Sequence, residues 1–148
     1  MDSEGHIKLT DFGLSKILDD SDDKIFTLCN TPQYLAPNVL KNKGYDKSVD
    51  FWSLGHFFYE MITGFLPYYI PRNNKINMKI FENKIKYPPD LNPITINFIN
   101  YLLNLEPIKL LGSGENGFNN IKSHEYFKEI NLDKYLKKEI KSSFAPEL

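Results

Sequence analysis

Residues 48–63 read SVDFWSLGHFFYEMIT, with apolar or aromatic side chains on almost every side of a helical projection. A helix with this distribution is buried on most of its sides. Gly64 and Pro67 follow it, and a glycine with a proline shortly after it commonly ends a helix. The pattern therefore predicts a helix over 48–63 at the centre of the fold.

The rest of the chain predicts a mainly α fold with one short strand and one long loop. Residues 6–10 alternate apolar and polar side chains, which is typical of a half-buried strand. Residues 11–37 follow no regular period, and the acidic run at 19–23 is typical of a solvated loop face. Apolar spacing and cap residues predict further helices over about 74–83, 92–106, 119–128 and 132–138.

The composition indicates one globular domain inside the cell. The chain has 148 residues, of which 41% are hydrophobic, and 18 basic side chains face 19 acidic ones. A net charge of -1 gives no basic field, so we expect neither nucleic acid nor a membrane surface as a partner. The single cysteine, Cys29, excludes an internal disulfide framework and favours a cytoplasmic or nuclear location. The apolar run at 54–70 is too interrupted to span a bilayer, and the N-terminal residues lack the pattern of a signal peptide.

Three motifs, in this order along the chain, indicate the function. Asp11, Phe12 and Gly13 combine a carboxylate, an apolar plug and a conformationally free glycine directly after the predicted strand. TLCNTPQYLAPN at 27–38 and GYDKSVDFWSLG at 44–55 follow. Their order and spacing resemble the C-terminal lobe of a eukaryotic serine/threonine protein kinase, from Asp-Phe-Gly through the activation loop to the central helix.

Later segments resemble the AGC group of these kinases: LGSG at 111–114, IKSH at 121–124 and FKEIN at 127–131. The resemblance implies a partial kinase domain over 1–127, within the α+β kinase fold, and the start of an AGC C-terminal extension over 128–148. It also implies transfer of a phosphoryl group from ATP to Ser or Thr of proteins, and an upstream activating kinase as a partner.

The resemblance assigns roles to single residues. Asp11 would bind the Mg2+ that bridges the ATP phosphates, with Phe12 and Gly13 completing the cofactor-binding motif. Thr27 stands where AGC kinases take an activating phosphate, and Lys16 would pair with that phosphate. The alternative for Thr27 is an ordinary loop hydroxyl. Asp50 would anchor the catalytic-loop backbone from the central helix, and we expect it to be buried and unsatisfied where that loop is missing.

Further residues match substrate-binding positions of the family. Those that would contact the substrate or face the catalytic loop are Leu28, Thr31, Pro32, Leu35 and Glu60. Glu60 would attract basic substrate residues, and its alternative is a solvated or helix-paired carboxylate.

The chain departs from the family at one ion pair. Asn38 replaces the Glu of Ala-Pro-Glu, and Leu110 replaces the Arg that normally pairs with it. Losing one partner of a buried pair is costly, but losing both can be nearly neutral, so we expect the lobe still to fold.

His56 lies inside the apolar helix, where we expect a hydrogen-bonded core or interface residue.

The 148 residues contain no glycine-rich phosphate loop with its strand Lys and no His-Arg-Asp catalytic loop. Residues 112–117 fit Gly-x-Gly-x-x-Gly, but they follow a helix and match a surface turn of the AGC group. Because these groups supply most of the catalysis, we expect this chain alone to be inactive and to bind ATP and Mg2+ poorly. The alternative is a non-catalytic kinase remnant that binds proteins or has no function.

Overall fold

A computed structural model of the chain describes residues 1–18, 24–26, 32–68, 81, 84–114 and 116–143. The α-helices in these residues are α1 (Pro37–Leu40), α2 (Ser48–Thr63), α3 (Pro93–Leu102), α4 (Gly117–Lys122) and α5 (Leu132–Leu136). Short 3-10 turns lie at Phe12–Leu14, Pro32–Tyr34, Pro107–Lys109 and Glu125–Phe127. The prediction of a mainly α fold is confirmed.

Helix α2 begins and ends where the sequence predicts. It ends at Gly64, whose φ of 76° is left-handed and whose backbone N–H donates to the Glu60 carbonyl at 2.8 Å. Gly55 in its middle faces α3, because a Cβ atom there would lie only 2.8 Å from the Cβ of Leu102. Glycine at this position therefore allows α2 and α3 to pack closely.

The core lies on one side of α2. Trp52 is fully buried and packs with Leu35, Val39, Tyr59 and Ile99 in the main cluster. A second cluster is built around the aromatic rings of Phe98, Phe58, Tyr126 and Phe127, together with Leu102 and Ile121.

The opposite side of α2 is open, so the prediction that this helix is buried on most sides is wrong for the described residues. The side chains of Leu54, Phe57, Met61 and Ile62 are between 38% and 57% exposed. An apolar side chain is buried only where another element covers it, and the described residues pack mainly against the face that carries Trp52.

Helix α3 begins as predicted and ends earlier. The Asn92 side chain accepts a hydrogen bond from the Ile94 N–H at 2.8 Å, and Pro93 occupies the first helical position. The helix stops at Leu102, and in the turn that follows the Asn104 side chain accepts from the Glu106 N–H at 3.0 Å. Helices α4 and α5 are likewise shorter than the predicted ranges 119–128 and 132–138 at their C-terminal ends.

The predicted strand at 6–10 is wrong. These residues form no β-pairing with any other described residue, and the β-bridge in that part of the chain joins Ile25 and Tyr45. Alternation of side chains alone does not make a strand, because the backbone N–H and C=O groups of a strand need a neighbouring strand to pair with.

The predicted helix at 74–83 lies outside the described residues except for Phe81, which is in the core. In the described ranges, no helix is both long and apolar enough to cross a membrane.

Candidate functional site

The Asp-Phe-Gly sequence forms a tight turn. Asp11 has left-handed backbone angles, φ 64° and ψ 62°, and the 3-10 turn Phe12–Leu14 follows it directly. A Cβ atom on Gly13 would lie 3.6 Å from Oδ1 of Asp11, so the carboxylate folds back over Gly13. The Asp11 side chain is exposed. Phe12 is 67% exposed, so the expectation of an apolar plug is wrong for the described structure.

The turn opens onto a cavity of about 680 Å3 beside the first turn of α2. Five of the predicted site residues line it, namely Asp11, Gly13, Lys16, Leu35 and Asp50. Phe12 and Glu60 do not line it. The structure thus brings together residues that are up to 39 positions apart in the sequence, from Asp11 to Asp50.

Asp50 is exposed, which corrects the expectation of a buried, unsatisfied carboxylate. Its side chain reaches the open cavity from the first turn of α2, where an acidic group is favoured by the helix dipole. Partial desolvation raises the pKa of the Asp50 carboxyl.

The described residues can supply part of a magnesium site. Among them, no group of three His, Cys, Asp or Glu side chains lies close enough to hold a metal ion by itself. Mg2+ is usually held by one or two carboxylates together with phosphate oxygens and water. The exposed Asp11 carboxylate can supply one oxygen ligand. This fits a Mg2+ ion that also binds nucleotide phosphates, and not an ion enclosed by protein ligands alone.

Glu60 lies at a second position, on the last turn of α2. The Tyr34 hydroxyl donates to Oε2 of Glu60 at 2.5 Å, and the Ser53 hydroxyl donates to the Tyr34 carbonyl at 3.1 Å. The bond to Glu60, together with desolvation, raises the pKa of Tyr34. Tyr34 thus fixes the direction of the Glu60 carboxylate, and sequence reasoning missed it because nothing in the local pattern links residues 26 positions apart.

The remaining predicted residues stand as follows. Thr27, Leu28 and Thr31 lie outside the described residues, and Pro32 begins the 3-10 turn Pro32–Tyr34. Lys16 is exposed at the cavity rim. Leu35 is only 8% exposed and belongs to the core as well as to the cavity wall.

His56 is a core residue, but the expectation that it is hydrogen-bonded is wrong. It is fully buried, and neither ring nitrogen has a hydrogen-bond partner among the described residues. The rings of Trp52, Tyr34 and Tyr68 surround it at centroid distances of 5.5, 6.0 and 5.9 Å. Burial lowers the pKa of His56 to about 4, although the nearby Gln33 backbone favours the protonated form slightly.

A small cavity lies where the family's Glu–Arg ion pair is replaced by Asn38 and Leu110. Asn38 and Leu110 both line a space of about 180 Å3 next to Trp52. Leu110 is 5% exposed and packs in the main core cluster. Since neither Asn38 nor Leu110 is charged, neither position leaves one partner of the pair as an unpaired charge, and the expectation that the lobe folds without the pair stays a prediction.

A helical body around α2 with an Asp-Phe-Gly turn beside its first turn is the arrangement of a kinase C-terminal lobe. Comparison with known proteins agrees: the chain belongs to the protein kinase family, whose "Protein kinase domain" model matches residues 1–127.

Its relatives are AGC kinases, which confirms the resemblance to that group. The chain is 41% identical over its whole length to "Serine/threonine-protein kinase AtPK1/AtPK6" of Arabidopsis thaliana, and it covers 31% of that protein. It is 38% identical over 98% of its length to "cAMP-dependent protein kinase catalytic subunit 3" of Drosophila melanogaster, covering 24% of it. It is also 38% identical over its whole length to "Serine/threonine-protein kinase akt-2" of Caenorhabditis elegans, covering 28% of it. The chain thus spans less than a third of the length of these relatives.

Proposed function

We propose that this chain is the C-lobe part of an AGC-type kinase domain that transfers the γ-phosphoryl group of ATP to Ser or Thr hydroxyls of intracellular proteins. Residues 1–127 belong to the kinase domain in this proposal, and 128–148 begin its C-terminal extension. The observation that supports it is the meeting of Asp11, Lys16 and Asp50 around one cavity. Family membership supports ATP and Mg2+ as the cofactors.

Asp11 is the proposed protein ligand of Mg2+, and a bound ion would neutralise charge on the phosphates. Asp50 reaches the same cavity from α2 and would accept hydrogen bonds from catalytic-loop N–H groups. The glycine-rich loop and strand Lys of the N-terminal lobe and the Asp base of the catalytic loop are not among the 148 residues, so in this proposal they would come from other parts of the kinase domain.

The proposed regulation is phosphorylation of Thr27 by an upstream kinase. A phosphate adds nearly two negative charges, and Lys16 is an exposed cation at the cavity rim that could pair with it.

The proposed peptide site has an apolar part and an acidic part. Leu28, Pro32 and Leu35 would contact the residue after the phosphoacceptor, and Thr31 would face the catalytic loop. Glu60 would attract a basic substrate residue. The Tyr34 hydroxyl holds one of its oxygens, so the carboxylate has a fixed direction.

A chimera provides the test. The segment of the akt-2 relative that matches this chain is replaced by residues 1–148, and phosphate transfer from ATP to a peptide with basic residues before its serine is measured. We expect a working kinase that Asp11→Asn inactivates, because the carboxylate is the metal ligand. Glu60→Gln should raise KM for the basic peptide and leave kcat nearly unchanged, and Glu106→Gln on the surface is the matched control.

A folded chimera without activity, alongside an active parent enzyme, would refute the catalytic proposal. It would favour the second candidate, a lobe that binds proteins without catalysis. The observation in favour of that candidate is the exposed apolar face of α2, formed by Leu54, Phe57, Met61 and Ile62.

A further inference from the structure

Residues 2–6 form a closed turn just before the Asp-Phe-Gly segment. The Asp2 N–H donates to the His6 carbonyl at 2.9 Å, and the Gly5 N–H donates to the Asp2 carbonyl at 3.0 Å. Oδ1 of Asp2 accepts from the N–H groups of His6 at 2.8 Å and Glu4 at 3.2 Å. One carboxylate oxygen is therefore used inside the turn, and the other, Oδ2, faces ammonium groups, of which the nearby Lys8 lies 3.8 Å away.

Two residues from the other end of the chain hold this turn. The Lys138 ammonium donates to Oδ2 of Asp2 at 2.8 Å and lies 3.6 Å from the Glu4 carboxylate. The Ser142 hydroxyl donates to the Gly5 carbonyl at 3.2 Å. The bond from Lys138, followed by that from the His6 N–H, holds the pKa of Asp2 well below its ordinary value. Because the pKa of Lys138 is raised as well, both partners are charged throughout the neutral range.

The backbone at Lys138 gives independent support. Helix α5 ends in a Schellman motif, in which the Lys138 N–H donates to the Tyr135 carbonyl and the Glu139 N–H to the Lys134 carbonyl. Lys138 occupies the left-handed position of this motif with φ 58°. Glycine is the residue that normally stands there, because a side chain makes left-handed angles unfavourable. A lysine in this conformation indicates that its side chain has a use that outweighs the strain.

The turn is connected to Asp11 by a short exposed segment. The side chains of Ile7, Lys8, Leu9 and Thr10 are all exposed, and these residues form no β-pairing with other described residues. Five Cα–Cα steps join His6 to Asp11, and they span at most about 18 Å when fully extended. The place where the turn is held therefore limits the region that Asp11 can occupy.

We propose that Lys138 is a positioning residue: by holding the Asp2–His6 turn, it sets the position of the Asp-Phe-Gly carboxylate. The functional meaning of this coupling rests on the proposed role of Asp11 as the metal ligand. In a kinase domain, residues 138–142 would then influence the position of the metal-binding carboxylate without contacting it.

The test measures the backbone of the purified chain, without nucleotide or metal. In Lys138→Ala we expect the Glu4, Gly5 and His6 amides to exchange hydrogen about threefold faster, an effect within the usual range for a partly exposed ion pair. The NMR amide peaks of Asp11, Phe12 and Gly13 should also move, although Lys138 does not contact these residues. Lys138→Arg should restore both readouts, because it keeps the charge.

Two further variants separate the side chain from the backbone. Lys138→Gly removes the strain together with the ammonium, so it should loosen the turn as Lys138→Ala does. Lys137→Ala removes a neighbouring exposed lysine that has no ion pair among the described residues, and it should change nothing.

The proposal is overturned if exchange in the turn does not change in Lys138→Ala, or if it rises while the peaks of Asp11, Phe12 and Gly13 stay in place. Equal effects from Lys137→Ala would also overturn it. An inactive kinase chimera would count against the proposed function alone, because these backbone measurements do not require catalysis.

Discussion

Replacing His56 by leucine should stabilise the protein, most strongly in acid. The imidazole is fully buried with both nitrogens unpaired among the described residues, and its pKa falls from 6.5 to about 4 on folding. The difference of about 2.5 pKa units corresponds to about 3 kcal/mol, at 1.36 kcal/mol per unit. This free energy is the penalty that the folded state carries at low pH.

The sign follows from proton binding. Between pH 6.5 and 4 the unfolded chain binds a proton at His56 and the folded chain does not, so stability falls as the pH falls. The His56 contribution is complete above pH 6.5, and linkage gives a loss of about 2 kcal/mol by pH 5. His56→Leu should abolish this part of the pH dependence. At pH 7.5 it should also add about 1 kcal/mol, since two unsatisfied polar atoms leave the core.

Urea unfolding followed by circular dichroism at pH 7.5 and pH 5 measures both effects. The matched control is His6→Leu, which removes an imidazole from a half-exposed position outside the core. The reasoning would be refuted if the parent chain and His56→Leu lost the same free energy of unfolding between the two pH values.

Three further substitutions test the packing and the site. Gly55→Ala should cost about 1–3 kcal/mol in urea unfolding, because the new methyl group would push against Leu102; an unchanged midpoint would mean that α2 and α3 can separate without cost. Tyr34→Phe should lower the free energy of unfolding by about 1–2 kcal/mol through the lost bond to Glu60, and in a double-mutant cycle with Glu60→Gln the two losses should not add; additive losses would show that the bond contributes nothing. Leu110→Arg should destabilise by about 3–5 kcal/mol as an unpaired buried charge, and adding Asn38→Glu should recover much of it, whereas no recovery would mean that the two positions do not meet.

Local signals predicted the helices well. Gly64 and Pro67 located the end of α2, and Asn92 with Pro93 located the start of α3, because caps and stops act within one turn of the residue that carries them. The strand at 6–10 failed for the opposite reason. Its alternation is local, but pairing requires a partner that the pattern of these residues cannot reveal.

Burial and distant contacts were the least predictable features of the site. Only the family resemblance predicted that Asp11 and Asp50 share a site. The exposure of Asp50 was not predictable, because it depends on which other parts of the protein cover the cavity. The Tyr34–Glu60 bond and the Lys138–Asp2 ion pair join residues 26 and 136 positions apart, and no spacing rule reaches that far. His56 was placed in the core correctly, but its missing hydrogen bonds depend on the aromatic rings that happen to surround it.

The single tryptophan gives this lobe an intrinsic optical reporter. Trp52 is fully buried, lies parallel to Tyr68 at 6.2 Å and meets the edge of Phe81 at 6.0 Å, so its emission should be blue-shifted in the folded state. The imidazole of His56 lies 5.5 Å away, and an imidazolium at that distance quenches indole fluorescence. Because the pKa of His56 in the folded chain is about 4, the native emission should dim only as the pH approaches 4, whereas unfolding produces a red shift instead. A spectrofluorimeter can thus follow the protonation of one buried ring without any label.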